Sequence, residues 1–270
     1  MKISEILAGA AGLASPLEAR VLLKAACGIT DADIIADKLE LDFAPDGPLD
    51  AFCKMVFRRS QGEPVAYIIG RREFYGREFK VGRGVLIPRP DSETLIDAAL
   101  GVLGKRFAGR ILDLGVGSGA LLFTLLLEFP DARGDGIDIC PTALDFARRN
   151  LDLLGLKKRA RIIRRDLRDY PIGGYGLVVA NPPYVPAREI EDLAPDVKDY
   201  EPRAALDGGA DGLDYYRAIA ARVPSRTKLL LEVGEGQADA VAGIFAAHGK
   251  PRVWRDLAGR ARVVGFNLDK

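Results

Sequence analysis

Four consecutive residues, Asn181, Pro182, Pro183 and Tyr184, combine groups that can hold a planar nitrogen. They follow the apolar run 176–180, which is typical of a buried parallel strand. Because proline fixes its own φ and restricts the residue before it, Asn181 and Pro182 have little backbone freedom. The Asn181 side chain and the Pro183 backbone offer carbonyl acceptors, and Tyr184 offers a flat ring. This set predicts a pocket for the NH2 group of an amide or a nucleobase, although Asn-Pro also commonly begins a strand-ending turn.

A glycine-rich turn upstream suits a second ligand. The strand predicted at 111–114 leads into three glycines, and a helix is predicted from residue 119. Glycine lets the backbone turn sharply and approach a ligand closely, so this turn between a strand and a helix indicates nucleotide binding. Asp138 ends the next predicted strand, where a carboxylate can accept from ribose hydroxyls. The cofactor-binding residues predicted in this region are Asp113, Gly115, Val116, Gly117, Ser118, Gly119 and Asp138.

Two cofactors fit this pattern. Gly115, Gly117 and Ala120 also satisfy the spacing of dinucleotide-binding proteins, which keeps NAD open. Asp113 favours the other cofactor, because a carboxylate beside the glycines would repel a pyrophosphate and would attract the ammonium or sulfonium of S-adenosylmethionine. Asp166 ends the third predicted strand, where it can accept from an adenine amino group or simply form a turn. We therefore expect S-adenosylmethionine as the cofactor.

The order of the elements predicts an α/β fold. From residue 110 onward, strand and helix patterns alternate, which indicates a doubly wound, mainly parallel sheet. We expect a helical N-terminal domain over 1–70, a β-hairpin linker over 71–90 and the α/β domain over 91–270. The strands of this domain are predicted at 111–114, 134–139, 160–165, 176–180, 228–233, 253–256 and 263–268, and its helices at 119–128, 142–153, 213–222 and 236–248.

Composition narrows the classes of function. The 270 residues carry a net charge of +1, which gives little drive toward nucleic acid, so we expect no stable nucleic-acid complex. No apolar run reaches the length of a membrane span, and the acid at Glu5 argues against an export signal. The three cysteines are widely spaced, which favours reduced thiols in the cytoplasm. His248 is the one histidine, there is no metal-ligand cluster in the sequence, and we expect neither a His-dependent nucleophile nor a metal.

Taken together, the sequence resembles the release factor glutamine methyltransferases, within the class I S-adenosylmethionine-dependent methyltransferases. The Asn-Pro-Pro-Tyr stretch alone would also fit adenine-N6 methyltransferases. The blocks that flank it are what indicate the release factor glutamine methyltransferases instead. The resemblance covers nearly the whole chain. Its matching blocks are 62–64, 67–70, 74–76, 87–93, 113–119, 181–184, 200–202, 208–213, 232–234 and 256–260.

The resemblance implies a fold, a substrate and roles for several residues. The implied fold is a helical N-terminal domain, a hairpin linker and a seven-stranded methyltransferase domain. The implied substrate is the glutamine of the Gly-Gly-Gln motif in peptide-chain release factors, which would be the protein partner. Asp138 and Asn181 would contact the cofactor or substrate, Pro182 and Pro183 would help to bind the substrate, and Tyr184 would pack on the amide plane.

Two positions depart from the family pattern. Val116 replaces a common threonine in the glycine turn, and Leu167 stands where an aromatic residue often flanks the adenine.

Three rival functions also remain open. They are methylation of a ribosomal-protein glutamine or of an adenine or cytosine amine, a non-catalytic cofactor-binding or docking module, and an NAD-dependent oxidoreductase.

Overall fold

The chain forms two compact units. The computed structural model describes residues 1–37, 40–104 and 106–268. The first unit comprises Met1–Arg71 and Ala194–Tyr200, and the second comprises Arg72–Leu193 and Glu201–Lys270. The short segment from Ala194 to Tyr200 therefore belongs with the N-terminal helices, although it lies far from them in sequence.

The first unit is helical. Ser15 begins α2 by a reciprocal cap, since its hydroxyl accepts from the Glu18 N–H while its own N–H donates to the Glu18 carboxylate. Gly28 ends this helix with a φ of 66°, a left-handed conformation that glycine adopts without strain. The apolar faces of the N-terminal helices meet in one core. The helices are α1 (Ile3–Gly9), α2 (Pro16–Cys27), α3 (Asp31–Ala36), α4 (Pro48–Ser60), α5 (Val65–Ile69) and, from the later segment, α9 (Pro195–Lys198).

The first two strands of the chain form a β-hairpin. It joins β1 (Arg71–Phe74) to β2 (Arg77–Lys80) in a two-stranded sheet. Tyr75 and Gly76 form the turn with φ of 52° and 71°, and two positive values are the mark of the tight turn that suits twisted strands. The β-hairpin predicted within 71–90 is thereby confirmed, over residues 71–80.

A seven-stranded sheet organises the second unit. Its strand order is β5-β4-β3-β6-β7-β9-β8. The first five strands in this order pair in parallel, and β9 pairs antiparallel with both β7 and β8. The predicted fold class is therefore confirmed. The strands are β3 (Arg110–Leu114), β4 (Arg133–Asp138), β5 (Ala160–Arg164), β6 (Leu177–Ala180), β7 (Leu229–Glu232), β8 (Arg252–Arg255) and β9 (Ala261–Phe266).

Helices cover both faces of this sheet. One face carries a core with α6 (Glu93–Leu103), α7 (Ala120–Glu128) and α8 (Pro141–Leu153), and the other carries a core with α10 (Asp214–Ala220) and α11 (Ala238–Ile244). The central strands β6 and β7 are buried along their whole length because both faces of the sheet are covered there, as expected for a mainly parallel sheet. His248 is buried near the end of this layer, with its Nε2 at 3.1 Å from the Val223 carbonyl oxygen.

Within the ranges 1–37, 40–104 and 106–268, no helix is long and apolar enough to cross a membrane. Across the same ranges, no cluster of three or more His, Cys, Asp or Glu side chains could hold a metal ion.

Candidate active site

A cavity opens at the carboxyl edge of the sheet in the second unit, and we call it the edge cavity. It lies where β3, β4 and β6 end, which is where ligands bind in open α/β sheets. The predicted site residues that line it are Gly115, Val116, Gly117, Ser118, Asp138, Asp166, Leu167, Asn181 and Pro183. Asp113, Gly119, Pro182 and Tyr184 are not among its lining residues, so direct ligand contact by these four stays a prediction.

The glycine turn forms one wall of the edge cavity. Gly115 and Gly117 have φ of 83° and 53°, a backbone that other residues rarely adopt. A Cβ on Gly115 would meet no atom within 4 Å, so this face of the turn is open. At Gly119 a Cβ would instead lie 2.1 Å from the Phe123 ring. The first two glycines therefore leave room for a ligand, whereas the third permits close packing at the start of α7.

Asp138 joins the glycine turn to the end of β4. Its carboxylate accepts from the Gly117 N–H at 3.0 Å and from the Cys140 N–H at 2.9 Å. Burial raises the pKa of Asp138, and hydrogen bonds from Cys140, Gly117 and Ile139 oppose that rise. Because an ionised carboxylate has about four acceptor positions, this group can still accept from a diol in the edge cavity.

Asp113 lies inside the sheet. Its side chain is 1% exposed, and neither carboxylate oxygen has a hydrogen-bond partner of normal geometry within the described part of the chain. Burial raises the pKa of Asp113 to about 7; a backbone hydrogen bond from Leu122 opposes the rise, and the nearby Asp138 charge adds to it. The structure therefore places Asp113 outside the residues that line the edge cavity, and its contact with a cationic ligand stays a prediction.

Asp166 and Leu167 line the cavity beyond Asp138. The Asp166 carboxylate accepts from the Arg168 side chain at 2.6 Å and from the Arg168 N–H at 2.8 Å. Hydrogen bonding from Arg168 lowers the pKa of Asp166, so the acid is ionised and already partnered. Leu167 is buried and, with Ile139 and Tyr215, adds apolar surface suited to one face of a flat ring.

Asn181 follows the last residue of β6 and lies at the opposite end of the cavity wall. Its Nδ2 donates to the Ser92 hydroxyl at 3.2 Å. Ser92 is buried in the turn Pro90–Ser92 that precedes α6. An amide nitrogen that is engaged in this way leaves the Asn181 side-chain oxygen as an acceptor for another group.

The backbone after Asn181 is held from outside the cavity. The Gln237 side-chain amide donates to the Tyr184 carbonyl at 2.8 Å and accepts from the Gly234 N–H at 3.0 Å. Gly208 packs so closely that a Cβ there would lie 2.8 Å from the Pro183 carbonyl oxygen. These contacts fix the direction of the Pro183 carbonyl, which the sequence predicted as the second acceptor.

The Tyr184 ring packs in the core on the α10 and α11 face of the sheet. Burial, followed by the charge of Glu232, raises the pKa of Tyr184 to about 12, so the phenol is neutral. A charged loop follows Tyr184, and its residue Glu201 is buried, where it accepts from the Ile87 N–H at 3.0 Å and pairs with Arg89.

Sequence reasoning missed four residues that shape this site. Ser92 and Glu232 flank Asn181, and Gln237 and Gly208 hold the Pro183–Tyr184 backbone. Glu232 could have been predicted from the sequence, because it is a polar residue at the carboxyl end of an apolar strand, and the same signal marked Asn181. No local signal marks Gln237, since its role depends on how α11 packs.

Comparison with known proteins defines the class and then the family. Residues 92–196 match the family model described as Methyltransferase small domain, and residues 2–70 match the one described as PrmC N-terminal domain. The fold, the edge cavity and these matches define a methyltransferase.

The relatives give the particular family. The release factor glutamine methyltransferase of Caulobacter vibrioides is 39% identical over 263 residues, which cover 94% of this chain and 90% of that protein. The one from Rhodospirillum rubrum is 45% identical over 214 residues, covering 77% of this chain and 66% of that protein. The chain belongs to the release factor glutamine methyltransferase family. A solved structure of the hMettl16 catalytic domain shares the fold, with 12% identity, a TM-score of 0.59, and coverage of 80% of this chain and 82% of that one.

Proposed function

We propose that this methyltransferase transfers a methyl group from S-adenosylmethionine to the side-chain amide nitrogen of the glutamine in the Gly-Gly-Gln motif of peptide-chain release factors. One observation carries the proposal. Asn181 and Pro183, the paired acceptors, line the same cavity as the glycine turn and Asp138. A donor for the methyl group and an amide acceptor can therefore be held side by side.

The residues of the edge cavity fit S-adenosylmethionine. The open face of Gly115 admits a ligand close to the backbone, and Asp138 keeps acceptor capacity for ribose hydroxyls. Leu167 and Ile139 offer apolar surface to an adenine ring. When bound, S-adenosylmethionine supplies an electrophilic methyl group on its sulfonium. Asp113 is buried near Leu122 of α7 and is not among the residues that line the cavity.

Asn181 and Pro183 address the central difficulty of the reaction. An amide nitrogen is a poor nucleophile because its lone pair is delocalised into the carbonyl. The Asn181 side-chain oxygen and the Pro183 backbone oxygen would each accept one hydrogen of the glutamine NH2 group. These hydrogen bonds orient the nitrogen and stabilise the positive charge that develops on it, so the chain need not provide a general base. The methylated nitrogen can lose its extra proton to water.

The setting of the reaction follows from the same proposal. Release factors are protein substrates. The edge cavity would receive a single side chain of such a protein and would not act as a groove for nucleic acid. Cys27, Cys53 and Cys140 are free thiols, which is consistent with a reducing cytoplasm. We therefore place the enzyme in the cytoplasm with the translation machinery.

The test is transfer of radiolabelled methyl from S-adenosylmethionine to purified release factor. The matched control is a variant of the same release factor in which the glutamine of the Gly-Gly-Gln motif is changed to alanine. Label on the intact protein and none on the variant is the expected result. Equal label on both proteins, or label only on ribosomal proteins or on nucleic acid added in parallel, would overturn the proposed substrate.

A further inference from the structure

Glu232 is a buried acid that the reaction as described above does not use. It is the last residue of β7, and its side chain is 2% exposed. Its Oε2 has no hydrogen-bond partner among the residues that the structure describes. Because burying a carboxylate without full hydrogen bonding costs free energy, its presence here calls for a physical reason.

Its neighbours are the two residues that hold the substrate end of the cavity. The parallel register pairs Ala180 of β6 with Leu231 of β7. The residues that come next, Asn181 and Glu232, therefore lie at the same edge of the sheet. The side chains of Ser92 and Asn181 lie close enough to the Glu232 carboxylate to lower its pKa, although neither makes a hydrogen bond of normal geometry to it within the described residues. Asn181 also donates to the Ser92 hydroxyl, so these three side chains form one connected group.

The chemistry of this group bears on the orientation of the Asn181 amide. An asparagine amide can turn by 180° and exchange its oxygen with its nitrogen. The Ser92 hydroxyl can either donate or accept, so it tolerates both orientations. An ionised carboxylate only accepts, so it selects the orientation in which the NH2 group faces inward. The amide oxygen then remains available on the cavity side.

We infer that Glu232 is a positioning residue, which fixes the orientation of the Asn181 amide so that its oxygen, and not its nitrogen, meets the substrate. The catalytic consequence rests on the proposed function, whereas the orientation itself does not. Glu232 touches neither the reacting nitrogen nor the methyl group, and it acts through Asn181.

The charges around Glu232 make this orientation depend on pH. The groups that face it are Ser92 and Asp91 from the turn before α6, Asn181 and Tyr184 after β6, Tyr216 of α10 and Arg262 of β9. Burial raises the pKa of Glu232 to about 7, while hydrogen bonding from Ser92 and the charge of Arg262 oppose the rise. Below that pH the protonated acid can itself donate, and it no longer selects between the two amide orientations.

The orientation can be tested without any substrate. In a ¹H–¹⁵N spectrum of the full chain, the Asn181→Ala variant identifies the side-chain NH2 signals of Asn181. In the unmodified protein these signals are expected to shift with pH between about 6 and 8, as Glu232 titrates. In Glu232→Gln they are expected to lose that shift, and in Glu235→Gln, an exposed control on the following loop, to keep it. Signals that respond identically in all three proteins would overturn the proposal.

A double-mutant cycle tests the catalytic consequence. Glu232→Met removes the acceptor and is expected to lower kcat at least tenfold while the Kd for S-adenosylhomocysteine stays within twofold. Glu232→Gln, whose amide can donate as well as accept and so selects the orientation only weakly, should recover only part of that loss. In the Asn181→Ala background, Glu232→Met should cost nothing further, because the group it positions is gone. An equal loss in both backgrounds would show a general structural role and overturn the inference. If no release factor is methylated at all, the spectroscopic result still decides the orientation.

Discussion

The backbone N–H of Gly117 donates to Oδ2 of Asp138 at 3.0 Å, which ties the glycine turn to the end of β4. A second hydrogen bond from the Cys140 N–H, at 2.9 Å, holds the other carboxylate oxygen. The carboxylate is thus oriented by the backbone before any ligand enters the edge cavity. A ligand diol gains a preorganised acceptor, since little conformational entropy remains to be lost.

The first prediction concerns this acceptor. Asp138→Asn keeps the size of the side chain but removes its charge and one acceptor position. We expect the Kd for S-adenosylmethionine to rise roughly 10- to 100-fold, because a hydrogen bond to a charged group contributes about 1.5–3 kcal/mol. Titration calorimetry measures the change. Asp145→Asn, on the exposed side of α8 and outside the cavity lining, should leave the Kd unchanged. Equal affinities of the two variants would remove Asp138 from cofactor binding.

The second prediction concerns the amide acceptor. Asn181→Ala should lower kcat by about a hundredfold or more, since loss of one oriented hydrogen-bonding group at a developing charge costs about 3 kcal/mol. The Kd for S-adenosylmethionine should change little, because the glycine turn and Asp138 are untouched. Single-turnover methyl transfer, followed together with calorimetry, separates the two effects. A near-normal rate in this variant would contradict the mechanism.

The sequence predicted the strands of the sheet well, because each strand is indicated by the residues within it and beside it. Most strands of the seven-stranded sheet contain a short apolar run between glycine or polar residues, and the predicted boundaries agree with the structure to within two residues. The same locality explains why Asn181 and Asp138 could be placed together, since both follow from the rule that ligands bind at strand carboxyl ends. The segment Ala194–Tyr200 could not be placed, because it joins the helical unit through contacts such as the 2.7 Å hydrogen bond from the Tyr200 hydroxyl to the Gln61 carbonyl.

Asp113 shows where local reasoning about the site stopped. Side chains alternate along a strand, so Asp113 shares a face with Ile111, which belongs to the core beneath α6 and α7. Its nearness in sequence to the glycine turn predicted a ligand contact, whereas this alternation directs the carboxylate into the packed layer. Only the strand register and the position of α7 reveal that difference.

The third prediction concerns the backbone that carries the second acceptor. Gly208→Ala would place a Cβ 2.8 Å from the Pro183 carbonyl oxygen and 2.8 Å from the Tyr184 Cα, both of which are backbone atoms that cannot rotate away. We expect the change to displace the carbonyl, to lower kcat at least tenfold, and to destabilise the fold by about 1–3 kcal/mol. Methyl-transfer kinetics and thermal unfolding measure the two effects.

A matched glycine provides the control for that experiment. Gly243 lies within α11, and a Cβ there would meet no atom within 4 Å. Gly243→Ala should therefore stabilise the protein by roughly 0.5–1 kcal/mol, because alanine loses less backbone entropy in a helix. Its kcat should equal that of the unmodified protein. Similar effects of the two substitutions would show that the packing of Gly208 against the Pro183 carbonyl has no special importance.

The last prediction uses the buried acid beneath the glycine turn. Burial raises the pKa of Asp113 from its ordinary value of 3.8 to about 7. Between these two values the folded protein keeps a proton that the unfolded chain has released, so the free energy of unfolding falls as pH rises through this window. Above pH 7 the folded state carries the full cost of an ionised buried carboxylate. Asp113→Asn removes that cost, so it should stabilise the cofactor-free protein by on the order of 4 kcal/mol at pH 8 and hardly at all at pH 4.

Urea denaturation measures this difference through Trp254, the one tryptophan of the chain, which lies in β8 of the same unit. Asp138 also has a raised pKa, but it is present in both proteins and its own titration largely cancels in the comparison. Part of the Asp113 effect comes from repulsion by that neighbour, so Asp113→Asn in an Asp138→Asn background should gain less at pH 8. A stability difference that stays constant from pH 4 to pH 8 would show that Asp113 is ionised throughout, and that the cost of its burial is met by contacts with α7.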